Sequence, residues 1–140
     1  MKVREKYEEM METQMEIALA TSVYGQPNVR IVNFLYDSER KVVYFSTFKE
    51  SDKVKEIEKN PKVAFTTVVT GEENNHIRVL EGHAEKSEYS LLDLAEQWVA
   101  KMPFYQEIID MGTAQLDVYE ISFEKATVIQ GMMAREDIAV

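Results

Sequence analysis

Five residues in the first half of the chain have the chemistry of an anion site: Arg30, Ser46, Thr47, Ser51 and Lys53. Arg30 lies in an apolar stretch typical of a strand, and Ser46 and Thr47 end the next such stretch. Lys53 follows two residues after Ser51, which has the residue type of a helix N-cap. Unpaired N–H groups and the helix dipole favour an anion at such a place. Because strands flank it, these residues predict a site for a phosphorylated, planar cofactor.

Each of these residues also has an ordinary structural interpretation. Arg30 could extend to the rim of a barrel or pair with an acidic side chain, since its planar guanidinium suits an ion pair as well as a phosphate. Hydroxyl groups at a strand end commonly satisfy a neighbouring backbone group. Ser51 could cap its helix whether or not an anion binds. The residue types alone leave these alternatives open.

The elements that must position these residues follow from hydrophobic periodicity and turn residues. Residues 24–27 and 37–41 are typical of turns, and the first should join two strands as a hairpin. Strands are predicted over residues 17–23, 29–36, 42–48, 63–69, 76–85 and 116–130, and helices over 1–14, 51–60, 87–102 and 104–111. The sequence therefore predicts an all-β fold, a six-stranded antiparallel barrel with peripheral α-helices.

Three of these strands, over residues 29–36, 42–48 and 63–69, are apolar or aromatic on both faces. An antiparallel sheet with one face in water would alternate apolar and polar side chains. Both faces should therefore be covered, by helices or by a second subunit, and the predicted helices are too few to cover a six-stranded barrel. The pattern predicts a homodimer with twofold symmetry.

Length and composition exclude several classes of protein. The 140 residues fit one domain over 1–140, and the net charge of −9 argues against nucleic acid as a partner. The absence of cysteine excludes disulfides, thiolate zinc sites and cysteine nucleophiles. The sequence shows neither the apolar segment of a signal peptide nor a run long enough to span a membrane. It predicts a soluble, cytoplasmic protein that does not bind membranes.

No metal site or familiar catalytic motif is predicted. The only histidines, His76 and His83, are an odd number of residues apart on one strand and face opposite sides, so they cannot share one metal ion. Neither a GxSxG nucleophile elbow nor a GxGxxG dinucleotide loop occurs. If the chain bound haem, only these two histidines could supply a histidine ligand.

The order and spacing of these elements resemble the pyridoxamine 5'-phosphate oxidase-like family, the FMN-binding split β-barrels. The resemblance covers residues 10–130 and is firmest over 17–69. It is carried by six segments in a fixed order: Ile17–Val23, Tyr24–Pro27, Arg30–Val32, Phe45–Thr47, Ser51–Lys53 and Asn60–Val63. No segment is specific alone, but their order and spacing together are.

The resemblance implies a split barrel that binds FMN at the interface of a homodimer. It implies that Arg30 contacts the flavin and its phosphate, and that the backbone of Ile31, Val32 and Asn33 binds the ring edge. It also implies that Ser46, Thr47, Ser51 and Lys53 hold the phosphate; no catalytic residue is implied. The implied activity passes reducing equivalents from NAD(P)H to a small-molecule acceptor. A non-enzymatic flavin- or haem-binding protein is the alternative, with the deazaflavin F420 or haem as alternative cofactors.

The chain departs from the pattern of the true pyridoxamine phosphate oxidases at three places. Asp52 stands where many relatives carry a basic residue, and Leu35 stands where the oxidases tend to have a cofactor-binding lysine. The C-terminal segment has a single arginine, Arg135, where the oxidases carry several basic residues for the substrate phosphate. The sequence therefore does not predict oxidation of a vitamin B6 phosphate. It predicts that Asp52 faces solvent or weakens cofactor binding.

Overall fold

A computed structural model describes residues 2–69, 71 and 73–140, so Met1 of the first predicted helix lies outside the described residues. The strands are β1 (Glu16–Val23), β2 (Gln26–Asn33), β3 (Leu35–Asp37), β4 (Val42–Phe48), β5 (Lys62–Thr67), β6 (His76–Lys86), β7 (Leu116–Ser122), β8 (Lys125–Gln130) and β9 (Ala134–Ala139). The helices are α1 (Val3–Thr13), α2 (Asp52–Lys59), α3 (Ala95–Lys101) and α4 (Tyr105–Gly112), and a short 3-10 turn follows at Thr113–Gln115.

The predicted all-β class is confirmed, but the described residues form nine strands instead of six. The predicted strand over 29–36 is interrupted at Phe34, and the one over 116–130 is interrupted at Phe123 and Glu124. Residues 134–139 add β9, which pairs with β8. Short interruptions inside long apolar stretches barely change the hydrophobic pattern, so the pattern could not locate them.

The predicted hairpin between the first two strands is confirmed. Val23 pairs with Gln26, so only two residues, Tyr24 and Gly25, form the turn. Both have positive φ, 51° and 79° respectively, as a type I′ turn requires. Glycine adopts this conformation freely, and the right-handed twist of the turn suits the paired strands. The hairpin places β2 directly beside β1.

The sheet closes into a barrel because its two ends are joined in the sequence. Its strand order is β2-β1-β5-β6-β7-β4-β3, so β2 and β3 lie at opposite ends of the pairing path. Only Phe34 separates these two strands along the chain. The sheet must therefore curl until its ends meet. The long strand β6 makes the curl possible, because its first residues pair with β8 and its last with β7.

The junction at Phe34 is held by polar contacts from the link between α1 and β1 and from the end of α3. Phe34 is fully buried, and its N–H donates to the carbonyl oxygen of Met15 at 3.0 Å. Lys101, at the end of α3, donates from Nζ to the carbonyl oxygens of Phe34 at 3.0 Å and Met11 at 3.2 Å. The same Nζ lies 3.7 Å from the centroid of the Phe34 ring. One lysine thus satisfies backbone groups that no strand partner reaches.

Two clusters of buried side chains lie on the two sides of the sheet. The barrel interior contains one, with Leu19, Phe45 and Ile77 among its fully buried members. The other packs α3 and α4 against the outer side of β4, where the rings of Trp98 and Tyr105 stack with centroids 4.4 Å apart. The expectation of strands covered on both faces therefore holds for β4. It does not hold for β2 within one chain, because that strand is largely exposed.

The long helix predicted over residues 87–102 is wrong in its first half, since α3 begins only at Ala95. Side chains bind the backbone locally before that point. The Ser90 N–H donates to Asp93 Oδ2 at 2.8 Å, the Asp93 N–H donates to Ser90 Oγ at 3.1 Å, and the Tyr89 N–H donates to Ser87 Oγ at 3.1 Å. The reciprocal bonds between Ser90 and Asp93 have the pattern of a capping box, and residues 91–94 form turns directly before α3. The chain therefore begins to turn at Ser90, after the predicted start of the helix.

The buried lysine at the junction generates a prediction for stability. Burial lowers the pKa of Lys101 to about 7 from its ordinary 10.5. Between these values the unfolded chain holds a proton at this residue that the folded chain lacks, so the free energy of unfolding rises with pH. We therefore expect the free energy of unfolding of wild type, measured by urea denaturation, to rise relative to that of Lys101→Met between about pH 7 and about pH 9. The rise should be up to about 1 kcal/mol per pH unit. The control variant Lys59→Met, at an exposed lysine, should show the same pH dependence of the free energy of unfolding as wild type. A difference between wild type and Lys101→Met that does not change with pH would contradict the expectation.

Candidate functional site

Three of the predicted residues meet where β4 ends and α2 begins. Lys53 donates from Nζ to Thr47 Oγ1 at 2.8 Å, and Thr47 Oγ1 lies 2.9 Å from Ser51 Oγ. Ser51 is the N-cap of α2, as predicted, but its hydroxyl makes no capping hydrogen bond. Lys53 keeps two further N–H donors beside the first turn of the helix. This set of ammonium, hydroxyl and helix N-terminus has the chemistry that binds a phosphate.

The electrostatics of this corner come from charges on β2 and α2. Burial lowers the pKa of Lys53, and the nearby positive charge of Arg30 lowers it further. Asp52 and Glu56 oppose this effect with their negative charges. Asp52 is exposed in the first turn of α2, which corresponds to the solvent-facing alternative for this departure from the family pattern. An added anion would therefore relieve the repulsion between two neighbouring cations.

Arg30 lies close to this corner but is bound to a carboxylate of the same chain. Its NH2 pairs with Glu56 Oε1, and its NH1 donates to Thr21 Oγ1 at 2.9 Å and to the carbonyl oxygen of Leu19 at 3.3 Å. Glu56 also accepts from Thr21 Oγ1 at 2.8 Å and from Asn28 Nδ2 at 3.0 Å. The bond from Asn28, with those from Thr21 and Arg30, lowers the pKa of Glu56. The ion-pair interpretation of Arg30 thus describes the chain as it stands.

The predicted ring-binding residues lie on the open edge of the sheet. Within the described residues β2 pairs only with β1. The backbone N–H of Val29 donates at 2.9 Å to Oδ1 of the adjacent residue, Asn28, and not to β1. This N–H therefore faces the open edge. Because the backbone direction alternates along a strand, the backbone groups of Ile31 and Asn33 face the open edge too, whereas those of Val32 face β1. Ile31 and Asn33 can therefore offer backbone hydrogen bonds to a ligand.

Ser46 does not join the hydroxyl cluster. Its Oγ lies 3.0 Å from the hydroxyl of Tyr105, in the layer between β4 and α4. Neighbouring residues of a strand point to opposite faces, so Ser46 and Thr47 cannot direct their hydroxyls to one place. The structure thus separates Ser46 from Thr47, Ser51 and Lys53.

Glu56 and Thr21 belong to the site but were missed by sequence reasoning. Glu56 lies three residues after Lys53 on α2, and residues three apart share one face of a helix. That spacing was a usable signal for Glu56. Thr21 faces inward on β1, but its proximity to Arg30 depends on the register of the β1–β2 pair, in which Thr21 pairs with Asn28 and Leu19 with Arg30.

The sequence also matches a known family. The family model described as pyridoxamine 5'-phosphate oxidase-like matches residues 10–135. The chain therefore belongs to the pyridoxamine 5'-phosphate oxidase-like family, as the resemblance predicted. No curated protein matches it in sequence.

Solved structures share the fold at low sequence identity. General Stress Protein 26 from Bacillus anthracis is 22% identical, with full coverage of both chains and a TM-score of 0.77. A heme binding protein from Mycobacterium smegmatis is 13% identical with a TM-score of 0.79; the match covers 99% of this chain and 58% of that one. A FAD-binding protein from Mesorhizobium loti is 18% identical with a TM-score of 0.66, covering 99% and 95%. These similarities establish the split-barrel fold.

Helices able to cross a membrane are not found in the described part of the chain, since none combines the necessary length and apolar character.

The contact between Arg30 and Glu56 generates a prediction for stability. Both side chains are mostly shielded from water, so Arg30→Ala and Glu56→Ala should each lower the free energy of unfolding by about 1.5–3 kcal/mol. The double variant should lose less than the sum, because each single change already breaks the pair. Urea denaturation of the single and double alanine variants measures this coupling energy. The same cycle for Lys49 and Asp117, a pair with a more exposed lysine, should give a coupling energy below about 1 kcal/mol. Strictly additive effects for Arg30 and Glu56 would contradict this.

Proposed function

We propose that this chain is a cytoplasmic, FMN-binding oxidoreductase that passes reducing equivalents from NAD(P)H to a small acceptor. The observation that carries the proposal is the cluster of Thr47, Ser51 and Lys53 at the N-terminus of α2. Flavin binding by the Mesorhizobium loti protein of the same fold supports it. The departures at Leu35 and in the C-terminal segment argue against a vitamin B6 phosphate as the substrate.

In this proposal the protein binds and orients the cofactor, and FMN supplies the hydride chemistry when bound. Lys53 donates N–H groups to the phosphate, while Thr47 holds its ammonium and the hydroxyl groups of Thr47 and Ser51 complete the donor set. Arg30 adds a second positive charge at the same corner. The open-edge backbone groups of Ile31 and Asn33 bind the ring edge, while Val32 keeps β2 paired with β1.

The decisive test of this site compares FMN with riboflavin, which lacks the phosphate. Lys53→Ala should weaken FMN binding by about 10- to 100-fold, because a charge-assisted hydrogen bond is lost, and the same change together with Arg30→Ala should weaken it further. Riboflavin affinity should not change. Titration of apo-protein followed by flavin fluorescence measures both, with the exposed Lys62→Ala as a control for net charge. Equal losses for both ligands, or none, would exclude the phosphate site.

A haem-binding protein is the competing function, favoured by the Mycobacterium smegmatis neighbour. His83 is exposed, while burial lowers the pKa of His76, which keeps its imidazole neutral as haem ligation requires. The absorption spectrum of the purified protein separates the alternatives: flavin bands support the proposed function, a Soret band supports haem, and the shifted band of a deazaflavin supports F420. Bleaching of a bound flavin by NADH or NADPH then separates an enzyme from a carrier.

We further propose that the protein is a homodimer with FMN at its interface. The outer face of β1, β2 and β5 supports this, because among the described residues its side chains stay partly or fully open to solvent. The register aligns three small residues, Ala18, Ala20 and Ala64, beside Val29 and Ile31. Val29 is 63% exposed and Ile31 is 54% exposed. A second copy would bury this apolar face by twofold symmetry and give the cofactor a second wall.

The dimer is tested by placing a charge in this face. Val29→Glu should shift the protein to monomer in analytical ultracentrifugation at micromolar concentration, because an unpaired charge would be buried at the interface. Leu92→Glu is the matched control, since Leu92 is 62% exposed in the turns before α3, outside β1, β2 and β5, and should leave the dimer intact. FMN should raise the dimer fraction of wild type by mass action. A monomer that binds FMN fully would exclude both the dimer and the shared site.

A further inference from the structure

Arg30 already binds an anionic group of its own chain, the carboxylate of Glu56. Arg30 is bound on one guanidinium nitrogen by Glu56 and on the other by Thr21 and the Leu19 carbonyl group. Its charge is therefore already paired with a carboxylate of the same chain. Counting Lys53, Arg30, Asp52 and Glu56 together, the corner carries no net charge, although two of its residues are cations.

We propose that Glu56 sets how strongly this site binds a phosphoryl group, by acting as an internal competitor for Arg30. The inference rests on the phosphate site of the proposed function and adds a residue that weakens it. A phosphorylated ligand can use the charge of Arg30 only if the guanidinium leaves Glu56, or if the ligand binds against the negative charge of that carboxylate. Either case lowers affinity for a dianion and spares a ligand that has no phosphate.

The surroundings of Glu56 allow such an exchange. Its carboxylate keeps the hydrogen bonds from Thr21 and Asn28 when Arg30 leaves, so it is not stranded without a partner. A cavity of about 460 Å³ lined by Asn28, Lys55 and Glu56, among others, opens beside it, so water also reaches the group. The bond from Thr21 to Glu56 does not involve Arg30, and it ties β1 to α2.

A purely structural role is the competing interpretation, in which Glu56 only ties β2 to α2. The two interpretations differ in sign. If Glu56 competes for Arg30, removing its charge tightens FMN binding; if Glu56 positions Arg30 for the ligand, removing its charge weakens FMN binding. They also differ in dependence on Arg30, because competition vanishes when Arg30 is absent.

The experiment is a double-variant cycle read with two ligands. FMN and riboflavin are titrated into apo-protein of wild type, Glu56→Gln, Arg30→Ala and the double variant. Glu56→Gln should tighten FMN binding by about tenfold and leave riboflavin unchanged, because only FMN carries the dianion. When Arg30→Ala is also present, Glu56→Gln should increase FMN affinity less. The remaining increase comes only from removing the repulsion between the Glu56 carboxylate and the phosphate. Glu58→Gln, an exposed carboxylate on the same helix, should leave both affinities unchanged, and Glu56→Ala should act like Glu56→Gln.

The failures are distinguishable from one another. If no variant binds FMN more tightly than riboflavin, the phosphate site is absent and both the proposed function and this inference fall. If wild type prefers FMN through its phosphate but Glu56→Gln and Glu56→Ala, folded by circular dichroism, bind it no more tightly, only the role of Glu56 falls. A gain that is the same with and without Arg30 would likewise overturn competition for the arginine.

Discussion

The fold depends on one covalent constraint: the two strands at opposite ends of the sheet, β2 and β3, are joined through a single residue, Phe34. A sheet whose end strands are consecutive in the chain cannot remain open, so it curls around the apolar interior. The junction itself leaves backbone groups that neither strand can satisfy. Lys101 supplies donors to the Phe34 and Met11 carbonyl groups, and this links the closure of the barrel to α1 and α3.

The candidate site is a consequence of that closure. Curling brings the end of β4, with Thr47, and the start of α2, with Ser51 and Lys53, next to the β1–β2 hairpin that carries Arg30. The same strand β2 ends the pairing path, so its outer edge stays available for backbone hydrogen bonds at Ile31 and Asn33. The corner combines a donor set whose chemistry suits a phosphate with an internal carboxylate, Glu56, that already holds one of its two cations. Its affinity for an anion is thus a balance of neighbouring charges.

Much of this arrangement could be predicted from residue patterns. The hairpin at Tyr24 and Gly25, the strand ending at Phe48 and the helix start at Ser51 follow from local turn and capping chemistry, and the structure has all three. The separation of Ser46 from Thr47 also follows from strand alternation, although the prediction grouped them. The start of α3 was missed because the prediction followed hydrophobic periodicity alone. Ser90 and Asp93, whose reciprocal bonds have the pattern of a capping box, were a local polar signal for where the chain begins to turn.

The sequence by itself determined the all-β class, the family and the candidate residues Thr47, Ser51 and Lys53, because these depend on short-range periodicity and turn chemistry. Only the tertiary structure decided the strand count, the closure at Phe34 and the partner of Arg30. The pairing of Arg30 with Glu56 joins residues far apart in the chain, and it exists because the β1–β2 register and the packing of α2 bring them together. Interactions between distant segments depend on register and packing, and a local pattern contains neither.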